Sequence, residues 1–199
     1  MSKGGEEVPV TAYVDGLCEP VNPGGVACYG YAVYRDGDKL AEGCGVVDHP
    51  DPSNNVAEYT ACIKALEKLS ELGLTGESVT VRSDSQLLIY QLNGFYSVKA
   101  ERVIPLYERA VELAGRFKRI RFEWVPREQN SEADELSRKA YREYVSNNLK
   151  AFIEKYRLYL ATEKQKALLD RLKIPYPPWV SKREASALIS EKIARRRKS

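Results

Sequence analysis

The dipeptide Asp36-Gly37 lies between two runs of strand-forming residues, GVACYGYAVYR (25 to 35) and DKLAEGCGVV (38 to 47). A two-residue Asp-Gly connection accepts the positive φ of a tight hairpin turn, and its twist matches that of the flanking strands. The pair therefore reads as an antiparallel hairpin. VPVTAYVDG (8 to 16) is a further strand ahead of it, so the chain opens with three strands in succession. A loop rich in Pro, Asp and Asn, DHPDPSNN, then introduces a helix, with Ser53 or Asn54 as its cap and Gly73 near its end. ESVTVRSD (77 to 84) is a fourth strand, SQLLIYQLNG a short helix stopped by Gly94, and residues 101 to 117 another helix. RIRFEWV (119 to 125) is a fifth strand and residues 131 to 145 a further helix. The order β-β-β-α-β-α-α-β-α predicts an α/β fold: a mixed five-stranded sheet whose antiparallel meander feeds parallel strands.

A chain of 199 residues with 43% hydrophobic content is large enough for one good-sized domain, with or without an appendage. No apolar run approaches the roughly 18 residues that a membrane span needs, and MSKGGEEVPV lacks the apolar middle of a signal peptide. A cytoplasmic location without a membrane partner is the expectation. Cys18, Cys28, Cys44 and Cys62 form no C-x-x-C pair and have no nearby histidines, so they read as small buried hydrophobes. The two-residue turn would set Cys28 opposite Gly45 and leave Cys44 on the other face, which argues against a disulfide between them.

One residue in the first helix is out of place. Glu58, Cys62, Ala65, Leu69 and Leu72 follow at helical spacing, so a carboxylate falls on the stripe that the helix must bury. An ionised carboxylate in a core costs several kcal/mol unless a cation compensates it. Asp15 ends the first strand, Asp84 ends the fourth, and Asp134 opens the helix after the fifth. Reactive groups in open α/β sheets gather at the carboxyl ends of parallel strands, so neighbouring first and fourth strands would set Asp15 beside Asp84. Taken alone, each of these residues reads equally well as a turn, cap or helix-dipole residue. Four carboxylates converging from four segments are instead a ligand set for two Mg²⁺ ions, since hard cations take oxygen ligands and relieve mutual repulsion.

YVDG with Asp15, SNNVAEYTA with Glu58, RSDSQLL with Asp84 and WVPREQNSEADELS with Asp134 resemble, in order and spacing, the four motifs of type 1 ribonuclease H. The resemblance covers about residues 8 to 145. It implies the ribonuclease H-like form of the mixed sheet, with helices on both faces. It also implies an endoribonuclease that cuts the RNA strand of an RNA·DNA hybrid with two divalent ions, Mg²⁺ or alternatively Mn²⁺, leaving 5′-phosphate and 3′-hydroxyl ends. By the same resemblance Ser53, Asn54, Asn55, Gly16, Asn22 and Gln86 contact the hybrid, Ser53 facing a DNA-strand phosphate. Neutral hydrogen-bonding groups suit this task, because the 2′-hydroxyl is both donor and acceptor.

The sequence departs from that pattern in two places. Many bacterial members carry a histidine in the loop after the fifth strand, whereas VPREQN has none; Arg127 is the substitute, able to bind a phosphate but not to shuttle a proton. The only histidine, His49, reads as a solvated turn residue. The segment 91 to 103 is too short for the basic protrusion of some relatives, which leaves Lys99 and Tyr96 as backbone contacts. Two rivals share parts of the reading. A resolvase- or transposase-like nuclease would use similar carboxylates, and a non-catalytic hybrid-binding module would have lost one.

Charge divides the chain. Residues 1 to 145 carry 17 Lys and Arg against 23 Asp and Glu, whereas residues 146 to 199 carry 14 against 5, a net +9. We therefore expect a catalytic domain over 1 to 145 and a basic helical extension over 146 to 199 that meets a nucleic acid backbone, the alternative being a helical cover for the domain with a solvated basic face. TEKQ (162 to 165) and SKRE (181 to 184) match the capping-box pattern, so the extension holds two helices separated by IPYPPWV. Ala185, Leu188, Ile189 and Ile193 supply its apolar stripe.

Overall fold

The computed structural model describes residues 9 to 198, the side chains of 196 to 198 aside; Val8, the expected start of the first strand, and the terminal Ser199 lie outside the described residues. Two compact units divide between Arg142 and Glu143, three residues before the expected boundary.

In the first unit β1 (Val10–Glu19), β2 (Val26–Arg35) and β3 (Asp38–Val46) form the meander. They are followed by α1 (Asn54–Glu71), β4 (Ser78–Ser83), α2 (Gln86–Leu92), α3 (Ile104–Ala114), β5 (Arg119–Trp124) and α4 (Ser131–Asn147), the last running across the division. The sheet order is β3-β2-β1-β4-β5, with the meander antiparallel and β1-β4-β5 parallel. Val10, Ala12 and Val14, alternate residues of β1, join Val33, Val79 and Val81 and bury against Val56, Leu66 and Leu69 of α1 and Leu113 of α3. Each of the valines and leucines contributes about 1.5–3 kcal/mol, and this face holds the main core. Helix α4 lies on the opposite face, where Gly30 of β2 meets Ala133 and Ser137.

Three local expectations need correction. Leu72 is the C-cap of α1, one residue past its end, and is 42% exposed, so the buried stripe closes at Leu69. Cys28 pairs with Val46 rather than Gly45. A bulge at Val33/Tyr34 makes Ala41, not Leu40, the partner of Val33, and a one-residue slip turns every later side chain to the other face. Cys44, opposite Gly30, thus shares a face with Cys28 as its diagonal neighbour. No disulfide joins any of the four cysteines, and burial pushes the Cys28 thiol up to about 12. Cys44 itself is only half-buried.

The second unit contains α5 (Leu149–Tyr156), α6 (Glu163–Arg171) and α7 (Lys182–Lys198). The segment LKAFIEKY is not among the expected helices; its apolar Leu149, Phe152 and Tyr156 nevertheless follow at i, i+3 and i+7, and the Phe152 and Tyr156 rings pack at 4.8 Å. Thr162 and Gln165 make the predicted capping box, and Ser181 Oγ accepts from Glu184 N at 3.1 Å. Gln165 Nε2 also donates to the Lys182 carbonyl and to Ser186 Oγ, both at 2.9 Å, which ties α6 to α7. Ala161, Leu169, Leu172, Val180, Ala185 and Ile189 form a small core, while Ile193 is exposed. Among the described residues no helix is long and apolar enough to cross a membrane.

Candidate active site

Asp15 is not the last residue of its strand. β1 pairs with β4 only over Val10–Tyr13 but continues beside β2 to Glu19. The parallel pairing has therefore ended where Asp15 begins, and the carboxylate still sits at the carboxyl end of β4 with its backbone in the middle of the sheet. Asp84 follows the last residue of β4, and Asp134 lies in the first turn of α4.

Two glycines draw the helices in. A Cβ on Gly16 would fall 2.3 Å from Glu58 N and 2.4 Å from the Ala57 carbonyl carbon, so the backbone of α1 rests directly on β1. A Cβ on Gly30, the cross-strand partner of Asp15, would fall 2.5 Å from both Ala133 O and Ser137 N of α4. Only a residue without a side chain permits either approach. Together they bring Glu58 and Asp134 to Asp15 from opposite faces. Gly16 is itself buried, and packing accounts for its presence.

Each carboxylate has a protein partner. Ser137 Oγ donates to Asp15 Oδ2 at 2.6 Å, with the Asp134 carbonyl as second acceptor at 2.9 Å. Ser83 Oγ donates to Glu58 Oε2 at 3.3 Å. Asn130, 1% exposed, donates from Nδ2 to Asp84 Oδ1 at 2.7 Å and to the Val14 carbonyl at 3.0 Å. Its Oδ1 is buried without a hydrogen-bond partner, a neutral oxygen beside the carboxylates. Trp124 Nε1 donates to the Asp84 carbonyl at 3.1 Å. Asp134 is held by Arg127 through Oδ1 and by Arg138 Nε at 2.9 Å through Oδ2.

The electrostatics follow from this arrangement. Burial raises Asp15 to about 6, against the opposing Ser137 hydrogen bond, and the charges of Asp84 and Asp134 push the same way as burial. Burial, reinforced by Asp15 and Asp84, raises Glu58 well above the usual carboxylate range, with Ser83 and Arg127 opposing. For Asp134 burial is also the largest influence and acts upward, but Arg138 and Arg127 outweigh it and hold the group below its ordinary value. Among the described residues no three Asp, Glu, His or Cys side chains converge on one point, since each carboxylate is turned toward its protein partner. The donors are all oxygen and repel one another, which suits hard cations.

The residues expected to contact substrate divide by exposure. Ser53 is buried as the N-cap of α1, accepting from Val56 N at 3.3 Å. Asn22 Oδ1 accepts from Asn54 N at 3.0 Å, linking the loop after β1 to the start of α1. Asn22, Asn54, Gln86 and Lys99 are exposed and Asn55 is half-buried. Arg127 is exposed apart from its carboxylate contact. His49 is half-buried and accepts from Asp51 N through Nδ1. Sequence reasoning misses Ser83, Asn130, Ser137 and Arg138. Ser83 carries a readable signal, falling in phase with buried Val79 and Val81; Ser137 and Arg138 share a helix face with Asp134 at i+3 and i+4. Asn130 carries none beyond its place before a helix.

A family model described as reverse transcriptase-like matches residues 31–140. A bifunctional protein of Mycobacterium tuberculosis is 42% identical over 88 residues, 44% of this chain and 24% of that protein, so the match spans about a quarter of the relative's length. The solved N-terminal RNase H domain of that protein is 36% identical, with 71% of this chain and 99% of that one covered at a TM-score of 0.64. Ribonuclease HI of Halobacterium salinarum is 36% identical over 131 residues, 66% of this chain and 63% of its own length. LC11-RNase H1, solved in complex with an RNA/DNA hybrid, is 33% identical, with 68% of this chain and 99% of that one covered at a TM-score of 0.63.

Proposed function

The chain belongs to the reverse transcriptase-like family and within it to type 1 ribonuclease H, and on that premise we propose that it is an endoribonuclease that hydrolyses the RNA strand of RNA·DNA hybrids, leaving 5′-phosphate and 3′-hydroxyl ends. The observation that carries the reading is the set of four carboxylates from β1, α1, the end of β4 and α4, mutually repelling around Asp15. Burial and repulsion without a resident cation would be unfavourable at neutral pH, so the set has a purpose that its neighbours alone do not serve. Asp15, Glu58, Asp84 and Asp134 would hold two divalent ions, Mg²⁺ or Mn²⁺. When bound, such ions supply an activated water and offset charge on the leaving oxygen in an in-line displacement.

The chain's own groups do the rest. Ser137 and Asn130 fix the Asp15 and Asp84 carboxylates, and Ser83 fixes Glu58. Arg127 offers a permanently charged fork to a phosphate beside Asp134. Asn22, Asn54, Asn55 and Gln86 present donors and acceptors to the 2′-hydroxyls, and Lys99 a charge to the backbone. The +9 carried by residues 146 to 199 grips phosphates that a net-negative catalytic unit would otherwise repel.

Incubation with hybrid, double-stranded RNA and double-stranded DNA, each with Mg²⁺ or with EDTA, tests the proposal. Cleavage of the hybrid's RNA strand in Mg²⁺ alone is the expected result. Cleavage of DNA would move the chain to the resolvase-like class, and tight hybrid binding without cleavage would make it a binding module.

A further inference from the structure

The residue that follows the C-cap of α6 is at odds with its backbone. Lys173 N donates to the Asp170 carbonyl at 2.9 Å and Ile174 N to the Leu169 carbonyl at 3.0 Å, and Ile174 packs into the small core that contains Leu169. This is the Schellman ending of a helix, and it requires a left-handed residue between the two donors, the position where glycine is the usual choice. Here the residue is lysine, at φ 54. The other non-glycine residue at positive φ among those described is Asp36, in the hairpin turn, and aspartate tolerates that region through local hydrogen bonding. Lysine lacks that local hydrogen bonding, and its side chain is what a glycine here would not supply.

That side chain lines a cavity of about 180 Å³ with Ile174, Pro175, Leu188, Glu191, Lys192 and Arg195. Three cations face one carboxylate, Glu191, which Arg195 engages in an i,i+4 pair. The lining of this notch is therefore net positive, with Ile174, Pro175 and Leu188 contributing apolar surface beside the charges. We propose that Lys173, Lys192 and Arg195 form a seat for one backbone phosphate of a nucleic acid strand, an assignment that rests on the reading of residues 146 to 199 as a grip. A phosphodiester matches the notch because it brings one negative charge and acceptor oxygens without requiring a base to enter.

The test is Lys173→Gly in the full chain, since a lysine that serves only the helix end and one that serves a phosphate predict different results. Glycine relieves the left-handed backbone, so the melting temperature should hold or rise by a few degrees. Hybrid affinity should nevertheless fall by about three- to tenfold at moderate salt, with the slope of log K against log salt reduced by about 0.9, the loss of one phosphate contact. Lys192→Gln should reproduce the loss of affinity and slope without the gain in stability. An unchanged slope in both variants overturns the seat. A companion full-length variant with Lys164, Arg171 and Arg183 changed to glutamine then separates the causes. A reduced slope in that variant alone would mean that the extension grips elsewhere, and an unchanged slope in all three would remove the grip itself.

Discussion

Replacing Asp15 with asparagine should make the metal-free protein more stable at neutral pH. Asp15 is 6% exposed and its carboxyl is raised to about 6 from 3.8, mainly by burial. A folded-state value above the unfolded one means that the folded protein holds the proton more tightly. The associated stability is fully present below 3.8 and is lost as pH rises through 6. At about 1.36 kcal/mol per pH unit, the ionised carboxylate costs the fold about 3 kcal/mol at pH 7.5. Asparagine keeps an oxygen to accept the Ser137 hydrogen bond and removes the charge. Urea denaturation in EDTA, followed by tryptophan fluorescence and circular dichroism, should find Asp15→Asn more stable than wild type by up to that amount at pH 7.5. The gap should close between pH 6 and 4. Mg²⁺ at about a hundredfold excess over its dissociation constant would return about 2.7 kcal/mol to wild type and little to the variant. A variant no more stable than wild type at pH 7.5 in EDTA, or a gap that does not change down to pH 4, would refute the reasoning.

Asp84→Asn should abolish cleavage while leaving hybrid binding nearly intact, because the lost charge serves metal binding and not the backbone grip; activity within tenfold of wild type would remove Asp84 from the site. Arg127→Ala should lower turnover by about ten- to a hundredfold, more than it weakens binding, and unchanged turnover would leave Arg127 with only its Asp134 contact. A chain ending at Ser146 should lose about three to five units of salt slope evenly across hybrid sequences, with saturated turnover little changed. If the extension is a stabilising cover instead, the melting temperature falls and the slope stays.

Local chemistry explains which features the sequence reveals. The Asp36-Gly37 hairpin, the Ser53 cap and the Thr162 capping box are each encoded within a few residues, and the structure contains all three. Glu58 is conspicuous because helical spacing makes a carboxylate on an apolar stripe anomalous. The partners of the carboxylates are less legible: Ser137 and Asn130 act on Asp15 and Asp84 over separations of 122 and 46 residues, and serine or asparagine near a helix start has ordinary local uses. The bulge at Val33/Tyr34 leaves no mark in the hairpin, yet it decides which face Cys44 takes. The end of β1 is hidden for a similar reason, since Asp15-Gly16 looks like a turn until β2 is seen to pair through it to Val26.

The position of Asp15 within a strand has a kinetic consequence. Its backbone belongs to the central strand of the sheet and Glu58 to the second turn of α1, where that helix rests on Gly16, while Asp84 follows the end of a strand and Asp134 lies in the first turn of α4. Helix ends open by local fraying at little free-energy cost, whereas a central strand opens only with its unit. Amide hydrogens of Tyr13 to Gly16 should therefore exchange with solvent deuterium only through global unfolding, and those around Asn54 and Asn130 by local opening. The four carboxylates then form two fixed posts, Asp15 and Glu58, and two hinged ones, and after any local excursion the centre reassembles around the fixed pair.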